Sequence, residues 1–536
     1  MEDAIVRKIQ HLRELMNQRQ YEEVGRLVSM LKEEIESHRD SLPRHLAHMA
    51  DLGGVLIDWG SDLANEDLIQ EGIDYTRRAL EDATLDDHGR VVFLYNLANG
   101  LSTLGEAQFR REWQQGKLNE DLRNAVQRYY EAMELCEQEH LCVPDLRDQI
   151  VVNLANLLDT VGRAVEAIDL YEVVLERNPM MGEALGNKAI ALFYLTWGVH
   201  GLRHRFYQEI KDLLTSALFD TTPPHMLPSF ERYMSAIDRI IEAHKGGMPL
   251  EEVTCPKPIS DFQAFLQSFC EKHKLFLSPA TLLRGGSIRV CNDPWFISRV
   301  SSEGSNDISK YITFMNQIKE DYILSRYLLV QSQYETKNIN SVDAGVTLYF
   351  PLDYSVYGIY VQLLRAAFKI GVDTLDKIAF FVRDYFGVGD VSETRTSFKN
   401  IFSSRNTPLQ LRPQLAEREN PYLLALLDLS LDLREGGRLS SIYDIRHALT
   451  HRFLVIQEIS IDEDRDDGIR RIPLSEFREQ TIKVMQTVRS AFMYLVMAVE
   501  YEEQKKREVT PDQASLVMPG MPLDQWSRWR PPMGEL

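Results

Sequence analysis

The chain has 536 residues, too many for a single hydrophobic core, so two or three domains are expected. Its 44% hydrophobic and 26% charged residues exclude a disordered chain. The formal net charge of -20 excludes a surface that grips nucleic acid throughout, because phosphate neutralisation needs clustered Lys and Arg; a local basic site with few phosphate contacts stays open.

The opening MEDAIVRKIQ has neither the apolar run of a secretory leader nor the basic bias of a transit peptide. The five cysteines are odd in number and scattered, which predicts no disulfide framework and a reducing, cytoplasmic setting. Residues 9–35 form a degenerate amphipathic cap, and residues 52–80 a helix pair around Trp59-Gly60. A further copy begins YNLANGLSTLG at Tyr95; the charged insert FRREWQQGKLNED delays its second helix, LRNAVQRYYEAMEL. The clearest copy is NLANLLDTVGRAVEAIDLYEVVLERNP, residues 153–179. Leu154, Ala155 and Leu158 lie on its first helix, Gly162 at the turn, Ala167, Tyr171 and Val174 on its second, and Pro179 at its end. Small residues let paired helices approach, and the aromatic fills the gap. This pattern resembles the 34-residue TPR repeat. The resemblance implies a helical-hairpin solenoid over residues 1–245 that docks a protein partner.

GGMPLEEVTCPKP reads as a linker, within a linker and lead-in segment at 246–305. Residues 307–335 carry Ile308, Tyr311, Met315, Ile318 and Tyr322 at the spacing of one buried helix face. NSVDAGVTLYFP is an extended connection. Helices follow at 354–386, 420–433 and 474–503. The most apolar stretch, residues 491–499, is too short to span a bilayer and is a core helix; no membrane partner is expected. Asp462 to Asp467 is a solvated acidic loop, and residues 506–536 form a tail anchored by Trp526 and Trp529.

The chemistry sits in SIYDIRHALTHRFLVI, residues 441–456, where Arg446 and His451 enclose His447-Ala448-Leu449-Thr450. An Arg-x4-His spacing is by itself a weak signal. Its surroundings add weight: NQIKEDYILSRYLL, DKIAFFVRDYF, NPYLLALLDLSLDL and IRHALTHRFL occur in that order, behind FCEKHKLFLSP and NDPWF. This series resembles a HEPN subfamily of bacterial conflict systems over residues 260–505. It implies a helical bundle, placed at 306–505, with Arg446, His451 and His447 as catalytic residues. The whole chain is then all-α, a TPR-like solenoid followed by a HEPN bundle.

RNA carries its own nucleophile, the 2′-hydroxyl. Cleavage then needs a proton acceptor, a proton donor and positive charge for the phosphorane. Histidine serves the proton transfers near neutrality and a guanidinium the charge. No metal or cofactor is required, and the products are a 2′,3′-cyclic phosphate and a 5′-hydroxyl. Residues five apart point about 140° from each other on an ideal helix, so Arg446 and His451 do not share one face. The family resolves this by homodimerising around a composite cleft, which the resemblance implies here. His447 and His451, four apart, do share a face.

Cys136, His140 and Cys142 make half of a zinc site with no second pair; His447/His451 and His200/His204 lack a third ligand. Gly285-Gly286 lacks the Lys-Ser or Lys-Thr of a phosphate loop. The reading is a metal-independent endoribonuclease acting on RNA and regulated through the TPR array, in a prokaryotic defence or toxin role. The alternative is a non-catalytic scaffold or a nucleotide-binding HEPN module.

Overall fold

In the computed structural model of the protein, the described residues are 2–38, 44–82, 84–139, 142–199, 202–219, 222–243, 255, 257–284, 290–300, 305–349, 351–459, 468–509 and 516–517. The acidic run 462–467, Trp526, Trp529, His140, His200 and Gly285-Gly286 lie outside them. Contacts divide the chain into one unit of residues 1–193, 207–246 and 405–411 and another of residues 194–206, 247–404 and 412–536.

The first unit is a succession of helices: α1 (Glu2–Asn17), α2 (Tyr21–Ser37), α3 (His45–Leu63), α4 (Glu66–Leu80), α5 (Asp87–Gln114), α6 (Glu120–Glu139), α7 (Pro144–Thr160), α8 (Ala164–Arg177), α9 (Gly182–Leu195), α10 (Arg203–Ala217) and α11 (Leu227–Ala243). From α1 to α8, each helix packs on the next, so the repeats are helical hairpins stacked in chain order. Local chemistry sets their ends. Asn65 caps α4 by accepting from the Asp67 and Leu68 amides, and Asp86 caps α5 through the Gly89 amide at 2.7 Å. Gly72 faces the Gly53 carbonyl so closely that any side chain there would force α3 and α4 apart. In the α7–α8 hairpin, Gly162 makes the turn at φ 89°, and Leu154, Ala155, Leu158, Ala167, Tyr171 and Val174 are buried. Tyr171 keeps its hydroxyl satisfied by donating to Asn156 at 2.6 Å.

The second helix of this repeat, α6, is delayed to Glu120, as the sequence predicts, and α5 runs into the charged insert as far as Gln114. The turn that follows is held by Glu112, which accepts from Lys117 and Asn119, each at 2.6 Å. Backbone bonds from Leu118 to Leu409 and from Leu411 to Gly116 complete it, which is why residues 405–411 belong to this unit.

The second unit contains α12 (Asp261–Lys272), β1 (Arg299–Val300), α13 (Ser305–Gln331), α14 (Lys337–Asn340), α15 (Ile359–Tyr385), α16 (Pro413–Ala416), α17 (Pro421–Asp432), α18 (Ser440–His451), β2 (Phe453–Gln457), β3 (Ile469–Pro473), α19 (Leu474–Val509) and β4 (Leu516–Val517). α13, α15 and α17 pack around α19, whose residues 491–499 are buried. α19 is long and apolar enough to cross a membrane, but its most apolar window is 83% buried in the protein, as a core helix requires. The all-α reading holds, with two short strand pairs added. β2 and β3 pair in parallel, from Phe453 with Ile469 to Gln457 with Pro473, and β1 pairs antiparallel with β4. Residues 341–349 of the extended connection form turns and irregular chain.

Two cysteine pairs correct the expectation that none would bond. Cys136 is joined to Cys142 and Cys255 to Cys291, with Cα atoms 5.3 and 5.6 Å apart, inside the disulfide range. The pairings depend on where loops return the chain, which residue spacing does not reveal. The first pair also removes Cys136 and Cys142 as thiolate ligands for zinc. Cys270 is unpaired and buried.

Candidate active site

α18 is fixed by one apolar face and one polar edge. Ile442, Ile445 and Ala448 are buried. Along the edge towards α15, Tyr443 donates to Asp376 at 3.2 Å. Arg446 reaches two carboxylates of α15: Nη2 lies 2.6 Å from Asp373 Oδ1 and Nη1 3.1 Å from Asp376 Oδ2. Asp376 also accepts from the Phe398 amide at 3.0 Å. The Lys399 ammonium sits 4.1 Å from the centre of the Tyr443 ring.

Burial sets the electrostatics of this edge. It pushes the Asp376 carboxyl above the usual range, with the Phe398 amide and Arg446 pulling it back down. It also raises the Tyr443 hydroxyl well above its ordinary value, with the Asp376 charge adding to the effect. For Arg446, burial opposes the charge, but Asp376 and Asp373 outweigh it and hold the guanidinium more firmly protonated.

The two histidines stand elsewhere on the helix. His447 and His451 are exposed, one turn apart, with ring centres 5.1 Å from each other. α18 ends at His451, where the Arg452 amide closes the last turn on the Ala448 carbonyl, and the chain leaves extended into β2. The fold thus brings His447 and His451 together and directs Arg446 sideways into α15, in keeping with the 140° offset read from the spacing. Sequence reasoning missed Asp373 and Asp376, the partners of the motif arginine. Their signal was the three-residue spacing that sets both on one face of α15.

Among the described residues no group of three or more His, Cys, Asp or Glu is arranged to hold a metal ion. Chemically, the site offers two solvent-facing imidazoles for proton transfer beside a guanidinium whose charge two carboxylates already balance.

Residues 302–502 match the model of the LA2681-like HEPN family. The C-terminal part of the chain therefore carries a HEPN domain, and α18 with its motif lies within the matched span. The match covers 201 of the 536 residues and leaves the helical-hairpin region outside it. A search of curated proteins returns no match for the chain.

Proposed function

We propose that this protein is a metal-independent endoribonuclease of the HEPN type, with His451 as its principal proton-transfer group and His447 in support. The observation that carries this reading is the pair of exposed imidazoles at the open end of α18, inside a segment that matches a HEPN family. In the reaction, one imidazole takes the proton of the 2′-hydroxyl as that oxygen attacks the adjacent phosphorus. The P–O5′ bond breaks, and a second imidazole donates a proton to the departing oxygen. The products are a 2′,3′-cyclic phosphate and a 5′-hydroxyl; DNA lacks the nucleophile and is inert. Two copies of the chain supply the composite site, with Arg446 orienting the edge of α18.

The helical hairpins are read as a TPR array that docks a protein trigger and regulates the nuclease, in a cytoplasmic defence or toxin role. A polar ladder supports docking. Asn153 donates to Tyr95 and Asn99, Asn156 to Glu183, and Asn187 to Asn156, which fixes a row of amides across successive hairpins.

The test is a matched incubation of wild type and His451→Ala with total RNA and with tRNA in EDTA, followed by end-group analysis. Cleavage by wild type alone, leaving cyclic phosphates, upholds the reading. Cleavage that persists in His451→Ala sinks it.

A non-catalytic scaffold is the second reading, and one observation favours it: the motif arginine is already engaged by Asp373 and Asp376. Under that reading, purified protein cuts no RNA even with its partner bound.

A further inference from the structure

One stripe of α15 carries two cations, Arg365 and Lys369, that have no acidic partner among the described residues. Asp376, Asp373, Lys369 and Arg365 follow one another at intervals of three, four and four residues, a single helix stripe. Links at both ends fix its register against α18 and β2. Tyr443 bonds Asp376 and Arg446 bonds Asp373 at one end, while Arg365 Nη2 donates to the Leu454 carbonyl at 2.7 Å at the other. α15 and residues 443–454 therefore run antiparallel. His447 and His451 lie one and two turns beyond Tyr443 on α18, on the side of the chain that leads to Leu454.

Arg365 is the unusual member. It is half-buried, and among the described residues it has no carboxylate within ion-pair distance. Its Nε is shielded from water and finds no acceptor among the described residues. Burial pulls its pKa below the usual arginine value, countered only by the Tyr357 hydroxyl. A cation carried into the protein without an anion is costly, and a shielded donor left unused points to a ligand that supplies the acceptor. Lys369 is exposed on the same stripe with no acidic partner among the described residues. Just past His451, Phe453 is 76% exposed, while Leu454 and Ile456 of the same strand turn inward.

We propose that Arg365 and Lys369 bind the phosphates, and Phe453 stacks a base, of a single-stranded RNA whose backbone follows α15 towards His451. The choice of RNA rests on the ribonuclease reading; the need for a polyanion does not. Arg446 is excluded as the main phosphate clamp because two carboxylates already hold it. Aromatic stacking requires an unpaired base, which selects a single strand over a duplex. The exposed apolar residues before α15, such as Tyr349 and Leu352, would suit a protein partner, but they do not explain an unbalanced guanidinium.

The experiment measures binding of a fluorescein-labelled single-stranded RNA by anisotropy across a salt series, in a His451→Ala background so that binding is separated from cleavage. Thermal unfolding and gel filtration accompany it. Lys369→Ala, on the surface, weakens binding several-fold and lowers the slope of log K against log salt by about 0.7, one single-strand phosphate contact. Arg365→Gln, whose amide keeps a donor for the Leu454 carbonyl, does the same more strongly. Phe453→Ala weakens binding with its salt slope unchanged. Parent-like affinity and slope in both charge variants, with the fold intact, overturn the proposal. So does loss of self-association with RNA affinity unaltered, which makes this face a protein contact. Cleavage is assayed separately on wild type. RNA binding that depends on Arg365, with no cleavage even when the partner of the helical hairpins is bound, upholds this site and sinks the ribonuclease reading. Cleavage with binding indifferent to Arg365 and Lys369 does the reverse.

Discussion

Arg446 Nη2 lies 2.6 Å from Asp373 Oδ1, so the arginine of the motif ties α18 to α15 within a single chain. Its other terminal nitrogen reaches Asp376 at 3.1 Å, and the guanidinium holds two like charges on one helix face. Removing it leaves both carboxylates unbalanced, one of them already raised by burial. Arg446→Ala is therefore expected to cost stability, on the order of 1–3 kcal/mol in urea denaturation. Adding Asp373→Asn to that variant recovers part of the loss, because the repulsion it exposed is reduced. An Arg446→Ala variant as stable as wild type would contradict this bridging role. Loss of activity in Arg446→Ala alone does not distinguish catalysis from structure.

The histidines give a cleaner separation. Both are exposed, and among the described residues the one ring contact either makes is with the other, so replacing them changes stability by less than about 0.5 kcal/mol. His451→Ala is expected to lower RNA cleavage about a hundred- to ten-thousand-fold at unchanged melting temperature. His447→Asn, which keeps a polar side chain at that position, retains more activity than His447→Ala. Equal activity of all three variants and wild type would remove both imidazoles from the mechanism. The measurement is initial cleavage rate in EDTA, paired with a melting curve for each protein.

Much of the helical framework was legible because it rests on periodicity. The stripe Met315, Ile318 and Tyr322 is buried on α13, and the expected helices over 420–433 and 474–503 fall on α17 and α19. The α7–α8 hairpin was legible from Gly162 and Tyr171, whose roles are local. What escaped depends on contacts distant in sequence. Asp373 and Asp376 are ordinary helix-surface residues until α18 packs against them. Arg365 shows its missing counter-ion only once burial is known. The parallel pairing of β2 with β3 joins segments across an acidic run that looks like any loop, and the cysteine pairs depend on the path of connections that carry no pattern.

Arg326 and Asp293 make a largely buried ion pair in the second unit. The guanidinium donates at 2.7 Å to both Asp293 oxygens and at 2.9 Å to the Leu275 carbonyl, and Asp293 accepts from the Leu277 amide. This fastens the NDPW segment to α13. Breaking such a pair strands the other charge away from water. Arg326→Met is expected to cost about 3–5 kcal/mol, visible as a lower denaturation midpoint, with Asp293→Asn also destabilising. A change below about 1 kcal/mol in Arg326→Met would show that water reaches the pair.

Asp159 lies on α7, where burial pushes its carboxyl up to about 7. Its unfolded value is about 3.9, so the folded chain holds a proton that the unfolded chain releases. The corresponding stability is fully present below the unfolded value and is lost as pH rises through 7. Wild type thus bears a penalty at pH 8 that Asp159→Asn does not. The variant is expected to melt about 2–4 °C higher than wild type at pH 8 for each kcal/mol of penalty removed, with the gap closing as pH falls towards 4. Comparing the two proteins at each pH cancels the titration of every other group. A gap that stays constant from pH 8 to pH 4 would mean that Asp159 is ionised in the folded state throughout, and that the carboxyl is hydrated rather than buried. Asp58, raised to about 6 by burial against the opposing charge of Arg13, should show the same sign over a window about one pH unit lower.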